Sequence, residues 1–190
     1  MSVVGFTPTN LAGWQVGFTT SNTAAIATNI TNTLPVRTGL ALWLDAADSA
    51  TVITSGGSNV TQWNDKSGNG RNATQNTVSN QPSYQSNGIV YNSASIMYLS
   101  CYLDFLANTN HNAFIVNKIS GNSNINFYGA LNGSNSSNSL HAGLSNNLNY
   151  RLNYWGNDWA AAISANYKQN SINIINYQWV ANTSKSVSYI

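Results

Sequence analysis

The sequence lacks glutamate altogether, and only 6% of its 190 residues are charged, against about 25% in ordinary soluble domains. The net charge of +2 comes from scattered Lys and Arg, a distribution too sparse to predict nucleic-acid binding. The single cysteine, Cys101, excludes an intrachain disulfide. Its expected role is that of a small buried hydrophobic residue, with a reactive or intermolecular thiol as the alternative.

Long apolar runs and common catalytic motifs are missing as well. No stretch approaches the ~20 apolar residues of a transmembrane helix, so no membrane span is expected. The sequence has no Gly-x-Ser-x-Gly nucleophile motif, no His-x-x-x-His or Cys/His set for zinc, and no Gly-rich phosphate loop ending in Lys. These absences disfavour the enzyme classes that depend on such motifs.

In place of charged residues, the chain is rich in neutral polar residues and in residues that favour strands. Asn, Ser, Thr and Gly form helices poorly, whereas the Tyr, Trp, Ile and Val of this chain favour strands. Short apolar runs separated by Gly- and Asn-rich turns predict an all-β fold, a sandwich or jelly roll of antiparallel strands. The patterns predict one helical turn near residues 103–107 and strands at residues 40–45, 60–63, 71–75, 88–91, 95–101, 112–119, 124–131, 139–144, 148–155, 159–166, 171–176, 177–181 and 184–190.

Three segments define the expected faces of these strands. Leu40, Leu42 and Leu44 point to one side of a predicted strand, and the residues between them point to the other. In residues 148–154, Leu and Tyr alternate with Asn and Arg, which predicts one buried face and one solvent-exposed face. Residues 96–99 are apolar on both faces, as in an interior strand.

Four stretches of sequence carry a family resemblance: LALWLDAADSATV at residues 40–52, VTQWNDKSGNGRNATQ at 60–75, QPSY at 81–84 and NAFIVNKI at 112–119. Together they resemble the concanavalin A-like (laminin-G-like) lectin and glucanase domains. The resemblance is to the divergent members in proteins of large DNA viruses of algae and protists and in bacterial surface proteins. One fold of this kind hosts many functions.

The resemblance implies a concanavalin A-like β-sandwich over residues 37–190, preceded by an extended N-terminal arm at residues 1–36. Family members continue for several strands beyond the point that corresponds to the last residue here. We therefore expect the sandwich to be incomplete at its C-terminus, which would leave an open strand edge. A fragment of a longer protein is the favoured explanation, and a strand supplied by a neighbouring chain is the alternative.

The same resemblance makes glucanase activity a function to consider. Glucanases of the family carry Glu-x-Asp-x-x-Glu on one strand face. Hydrolysis of this kind generally needs two carboxylates, but this sequence has no Glu and its five Asp residues show no such spacing. Asp45 and Asp48 are close, but they lie across a predicted strand end and are not expected to share a face. The sequence therefore predicts a protein without enzymatic activity.

Residues 65–70 offer side-chain oxygens at alternating positions, from Asp65, Ser67 and Asn69. Laminin-G-like domains often bind calcium, so the resemblance makes calcium the one cofactor to consider, with Asp48 as a second carboxylate. Calcium prefers about six to eight oxygens, several of them anionic, and this segment supplies few. The alternative is a simple turn, in which Asp65 accepts backbone amides and the Asn-Gly pair reverses the chain.

Residues 155–159, Trp-Gly-Asn-Asp-Trp, combine the aromatic surface and the hydrogen-bonding groups that protein–sugar contacts use. Trp155 and Trp159 would supply the platform, and the hydrogen-bonding side chains would be Asn157, Asp158 and Arg151. The alternative is that one Trp belongs to the core and the other covers a sheet edge, since large aromatics mostly serve burial.

Residues 1–36 carry no charge but do carry Phe6, Trp14 and Phe18, with a short strand predicted at residues 13–18. Exposed rings of this size favour burial. We expect the arm either to pack back onto the sandwich or to dock on a neighbouring molecule as an assembly arm.

Two functions are predicted from the resemblance and the uncharged composition. The first is a non-enzymatic structural component of a virion or comparable surface assembly, an oligomer whose partners are other structural proteins. The alternative is a carbohydrate-binding adhesion module that recognises host glycans, extracellular or at a cell surface.

Overall fold

The computed structural model describes residues 38–86, 88–92, 95–106, 109–121, 125–130, 140–144, 149–154, 160–161, 167–180 and 184–189. The predicted arm, residues 1–36, lies outside these ranges. The chain divides into two compact units, one ending at Cys101 and one beginning at Tyr102. The structure of each unit is set by antiparallel strand pairing.

Twelve strands occur in the described ranges: β1 Val52–Ser55, β2 Asn59–Trp63, β3 Ala73–Thr74, β4 Ser83–Gln85, β5 Gly88–Val90, β6 His111–Asn117, β7 Ile125–Ala130, β8 Leu140–Leu144, β9 Tyr150–Tyr154, β10 Ala160–Ala161, β11 Asn173–Val180 and β12 Ser184–Tyr189. Helical structure in the same ranges is limited to short 3-10 turns at Ser49–Thr51, Val78–Asn80 and Asp104–Leu106. The predicted all-β class is thus confirmed, as is the predicted turn near residues 103–107. No helix in the described part of the chain is long and apolar enough to cross a membrane.

The first unit contains a five-stranded antiparallel sheet in the order β1–β2–β4–β5, with β3 also paired to β2. Val60 at the centre of β2 is fully buried, and Ala73 of β3 is 2% exposed. β1 and β2 are joined by a tight turn at Gly56 and Gly57, whose φ angles of 59° and 103° lie where residues with a Cβ are strained.

The segment that ends at Ser100 lies against this sheet without joining it as a strand. Ser100 and Thr74 exchange two backbone hydrogen bonds of 2.8 Å, and the side chain of Gln75 donates to the carbonyl of Tyr98 at 3.1 Å. Ile96 is 81% exposed. The Tyr98 amide also donates to the carbonyl of Asn80 at 3.2 Å. The prediction of an interior strand here is wrong, because a single bridge and these separate contacts take the place of a continuous ladder.

The second unit contains two antiparallel sheets, ordered β10–β9–β8–β7 and β12–β11–β6. β11 alternates strictly, and its buried positions are Asn173, Ile175, Tyr177 and Trp179. The prediction of two strands, at residues 171–176 and 177–181, is corrected to one. β6 and β12 both pair with β11 across the predicted break, and this continuous pairing keeps the strand extended.

Tyr177 connects the two sheets of the second unit. Its hydroxyl donates a 2.7 Å hydrogen bond to the carbonyl of Gly143 on β8. Its ring centroid lies 6.2 Å from that of Tyr128 on β7 and 6.3 Å from that of Tyr150 on β9, both edge-on. Tyr150 and Leu152 are buried, which confirms the predicted buried face of β9.

Two strands are not anticipated by the sequence patterns. β1 has one buried residue, Val52, followed by exposed positions, and β4 has none. β1 becomes a strand by pairing with β2, and β4 by pairing with β2 on one side and β5 on the other. Neither has a two-faced hydrophobic pattern of its own.

Candidate functional site

The loop at residues 64–72, here named the Asp65 loop, is organised around one carboxylate. Oδ1 of Asp65 accepts hydrogen bonds from the backbone amides of Trp43 at 3.0 Å and Ser67 at 2.8 Å. Oδ2 accepts from the Ser67 hydroxyl at 2.7 Å and from the backbone amide of Arg71 at 3.0 Å. The carboxylate therefore closes the loop on itself and also binds a distant segment of the chain.

The ionisation of Asp65 follows from these four contacts. Burial disfavours the charged carboxylate, but the hydrogen bonds from Trp43, Ser67 and Arg71 outweigh that penalty and lower its pKa. Asp65 is consequently anionic at neutral pH, and its charge is met by donors of the protein itself.

Other side chains of the Asp65 loop bind the backbone of the segment before Trp43. Nδ2 of Asn69 donates to the carbonyls of Leu40 at 3.0 Å and Ala41 at 3.1 Å. Nη1 of Arg71 donates to the same Ala41 carbonyl at 2.6 Å. Side chains of the loop thus satisfy carbonyl groups that a neighbouring strand would satisfy in a sheet.

The strand predicted at residues 40–45 is wrong for this reason. Leu44 and Asp65 form one isolated antiparallel bridge, and Trp43 accepts a 2.8 Å hydrogen bond at its carbonyl from the Lys66 amide. Leu40, Leu42 and Leu44 do alternate in the sequence. The segment is nevertheless hydrogen-bonded to the Asp65 loop and not to a neighbouring strand. An extended segment paired with side chains does not form a ladder.

Lys66 lies at the centre of a second group of contacts, which the sequence patterns do not anticipate. Its Nζ lies 3.0 Å from Oδ2 of Asp45 and 2.7 Å from Oδ2 of Asp48, and 4.5 Å from the ring centroid of Trp43. The expectation that Asp45 and Asp48 do not share a face is wrong. The chain bends after Asp45, where the Thr51 hydroxyl donates to the carbonyls of Asp45 and Asp48.

The charges in this group stabilise one another. Desolvation disfavours the Lys66 ammonium, but hydrogen bonds to Asp48 and Asp45 outweigh it and raise the pKa of Lys66. The hydrogen bond from Lys66 lowers the pKa of Asp48. A protonated, paired Lys66 is a poor nucleophile near neutral pH, so the geometry indicates a structural clamp between residues 43–48 and the Asp65 loop.

One signal in the sequence could have located this clamp. Of seven basic and five acidic residues in the chain, five lie between residues 45 and 71. In a protein so poor in charge, a local cluster of both signs indicates ion pairing within the fold.

The residues considered for calcium are brought together, but they face one another. Ser67 donates to Asp65, and Asn69 donates to Ser67 at 2.9 Å. The turn alternative requires Asp65 to accept backbone amides, and it does so from Ser67 and Arg71. Among the described residues no group of three or more His, Cys, Asp or Glu could hold a metal ion. Calcium binding through Asp65, Ser67 and Asn69 stays a prediction.

The residues considered for sugar binding and for the assembly arm lie mostly outside the described ranges: Trp155, Asn157, Asp158, Trp159, Phe6, Trp14 and Phe18. Arg151 is described, on β9 between the buried Tyr150 and Leu152, and is partly exposed. The predictions for the other residues stay predictions.

A second candidate region is the outer face, which consists of residues 112, 114 and 116 of β6 and residues 174, 176 and 178 of β11. Strand pairing sets Phe114 opposite Asn176 and Val116 opposite Ile174. Phe114 and Val116 are each 65% exposed, whereas the alternate residues of both strands are less exposed. Two of these, His111 and Tyr177, contact Tyr128 of the other sheet in the same unit. The sequence pattern could not reveal this face, because residues 113–116 are all apolar.

Comparison with protein-family models, with curated proteins and with solved structures finds no match for this chain. The resemblance to concanavalin A-like domains therefore stays a prediction.

Proposed function

We propose that this chain is a non-enzymatic structural protein, a building block of a virion or a comparable surface assembly. Its fold in this proposal is a concanavalin A-like β-sandwich, and its partners are other structural proteins, including further copies of itself. The virion part rests on the resemblance carried by residues 40–52, 60–75, 81–84 and 112–119.

The observation that carries the proposal is the outer face. Phe114 and Val116 are large apolar side chains in a regular sheet, and each is 65% exposed. Contiguous exposed apolar surface of this kind marks contact sites in soluble proteins. Burying a Phe or Val side chain contributes about 1.5–3 kcal/mol, and the polar members of the face are uncharged, so a partner desolvates no ion there.

The remaining features support a role in contact. The Asp65 loop uses its carboxylate and Lys66 its ammonium to hold the chain together, which leaves these groups committed to the fold. The two sheets joined by Tyr177 are compatible with a sandwich. A chain with so little charge also has little self-repulsion to oppose association.

The test is the association state of the full chain by analytical ultracentrifugation over a wide concentration range. The wild type is expected to oligomerise, and Phe114→Ser combined with Val116→Thr is expected to weaken association by at least tenfold. Val78→Thr is the control, because Val78 is also 65% exposed but lies in a 3-10 turn of the first unit. A wild type that stays monomeric at every concentration would overturn the proposal, as would equal association of all three proteins.

A further inference from the structure

The outer face has an apolar centre with neutral polar surroundings. Phe114 and Val116 lie on β6, and Ile174 of β11 is paired opposite Val116. The flanking side chains at 112, 176 and 178 are Asn, Asn and Gln. A partner for this surface therefore needs apolar side chains at strand spacing and no charge.

Residues 13–18 of the chain have that chemistry. Their sequence is Gly-Trp-Gln-Val-Gly-Phe, in which Trp14, Val16 and Phe18 alternate with Gln15 and Gly17. An extended strand places alternate side chains on one side, so these three apolar groups would form a single row. The whole of residues 1–36 carries no charged side chain.

We propose that residues 13–18 of a neighbouring copy cover the outer face, with Trp14, Val16 and Phe18 packed on Phe114 and Val116. This inference rests on the proposed assembly function and names the contact that drives it.

The choice of a neighbouring copy follows from the proposed assembly function, and two observations allow it. Phe114 and Val116 are each 65% exposed, so the described part of the chain leaves this face open to a second molecule. Residues 19–37 separate the segment from Thr38, the first described residue. Fully extended, a linker of that length spans at most roughly 65 Å, so it does not confine the segment to its own chain.

A double-mutant cycle on the full chain tests the contact. One variant combines Trp14→Gln with Phe18→Gln, a second combines Phe114→Ser with Val116→Thr, and a third carries all four changes. Each pair of substitutions is expected to raise the dissociation constant of the oligomer at least tenfold. The variant with all four substitutions is expected to associate no more weakly than the variant with either pair. Ile26→Gln, an apolar-to-polar change in the arm outside residues 13–18, is expected to change association less than threefold.

Cysteine cross-linking distinguishes a neighbouring copy from the same chain. In a Cys101→Ser background, one protein carries Val16→Cys and another carries Val116→Cys, and the two are mixed and oxidised. A disulfide-linked pair of chains is expected in the mixture and not in either protein alone. A chain that carries both cysteines and closes an internal disulfide, with no linkage in the mixture, would show that the arm covers its own face and would overturn the inference.

The outcomes separate this inference from the proposed function. A wild type that never associates rejects the assembly function itself. An oligomer that is weakened by the Phe114 and Val116 changes but not by the Trp14 and Phe18 changes keeps the function and rejects residues 13–18 as the cover. Additive effects in the cycle also reject the direct contact.

Discussion

The hydroxyl of Tyr177 on β11 donates a 2.7 Å hydrogen bond to the carbonyl of Gly143 on β8, so one buried side chain fixes the spacing between two sheets. The ring of Tyr177 contacts those of Tyr128 and Tyr150 at the same place. Burial, with the neighbouring tyrosines as a smaller cause, raises the pKa of Tyr177. The hydroxyl is therefore a permanent donor at physiological pH.

Removing that hydroxyl should destabilise the second unit while leaving the ring of residue 177 in place. We expect Tyr177→Phe to lower the free energy of unfolding by about 1 kcal/mol, the usual net value of one hydrogen bond. The measurement is urea denaturation followed by circular dichroism. Tyr102→Phe is the matched control, because Tyr102 is 62% exposed. Identical midpoints for the two variants would show that the Tyr177 bond contributes nothing net.

The Asp65 carboxylate should make the protein sensitive to acid. Its pKa is lowered in the folded state, so its contribution to stability is complete above the unfolded value of about 3.9 and is lost as pH falls through the lower folded value. Asp65→Asn replaces one acceptor oxygen by a donor, and we expect a loss of roughly 2 kcal/mol near neutral pH.

Thermal melts of the wild type and Asp65→Asn between pH 2 and 6 test this expectation. The two melting curves should converge as the pH falls, because the wild type loses what the variant already lacks. A constant difference across the range would show that the carboxylate charge has no part in the stabilisation. Asp48→Asn, which leaves the four donors to Asp65 in place, should cost less at neutral pH.

The ion pairs of Lys66 should respond to salt. Lys66→Met leaves Asp45 and Asp48 close together without their shared cation, so the variant should be least stable at low ionic strength and recover as salt screens the repulsion. The wild type should change little or weaken slightly, since partly exposed ion pairs contribute about 1 kcal/mol or less.

The readout is the melting temperature in 0.02–0.5 M sodium chloride, concentrations on the order of those that change the Debye length from about 20 Å to a few ångströms. Lys168→Met makes the same charge change at an exposed lysine and should show no recovery with salt. If both variants respond alike, the effect is one of net charge and not of the Asp45–Lys66–Asp48 group.

Glycan binding separates the assembly function from the alternative function. We expect no change in tryptophan fluorescence when the wild type is titrated with a broad panel of glycans. A saturable change that is lost in Trp155→Ala but kept in Trp43→Phe would favour a carbohydrate-binding module instead. Trp43 is a suitable control because its ring lies against Lys66 in the clamp.

The strands that sequence could predict are those whose own residues alternate. β9 is an example, because Tyr150 and Leu152 are buried and Arg151 between them is not. In β11 alternation alone is insufficient, because its residues alternate but its length is set by pairing with β6 and β12. β1 depends on β2 as its partner, and β4 depends on β2 and β5. No local pattern in the sequence records that dependence.

The candidate site was predictable in its residues but not in its contacts. The spacing of Asp65, Ser67 and Asn69 indicates a group, and the structure brings the three side chains together. Their actual partners, the backbone of residues 40–43, lie more than twenty positions away. Loop-to-backbone contacts over such separations have no periodicity in sequence, which is also why the shared pairing of Asp45 and Asp48 with Lys66 went unpredicted.

The way in which the Asp65 loop holds residues 40–43 has an evolutionary consequence. Asp65, Asn69 and Arg71 bind main-chain amides and carbonyls, groups that every amino acid other than proline provides. The side chains of residues 40–42 are thus free to drift among relatives, subject only to their partial burial, while the three loop residues are constrained. Divergent homologues would therefore be easier to detect by the spacing of this Asp, Asn and Arg than by the leucines of residues 40–42.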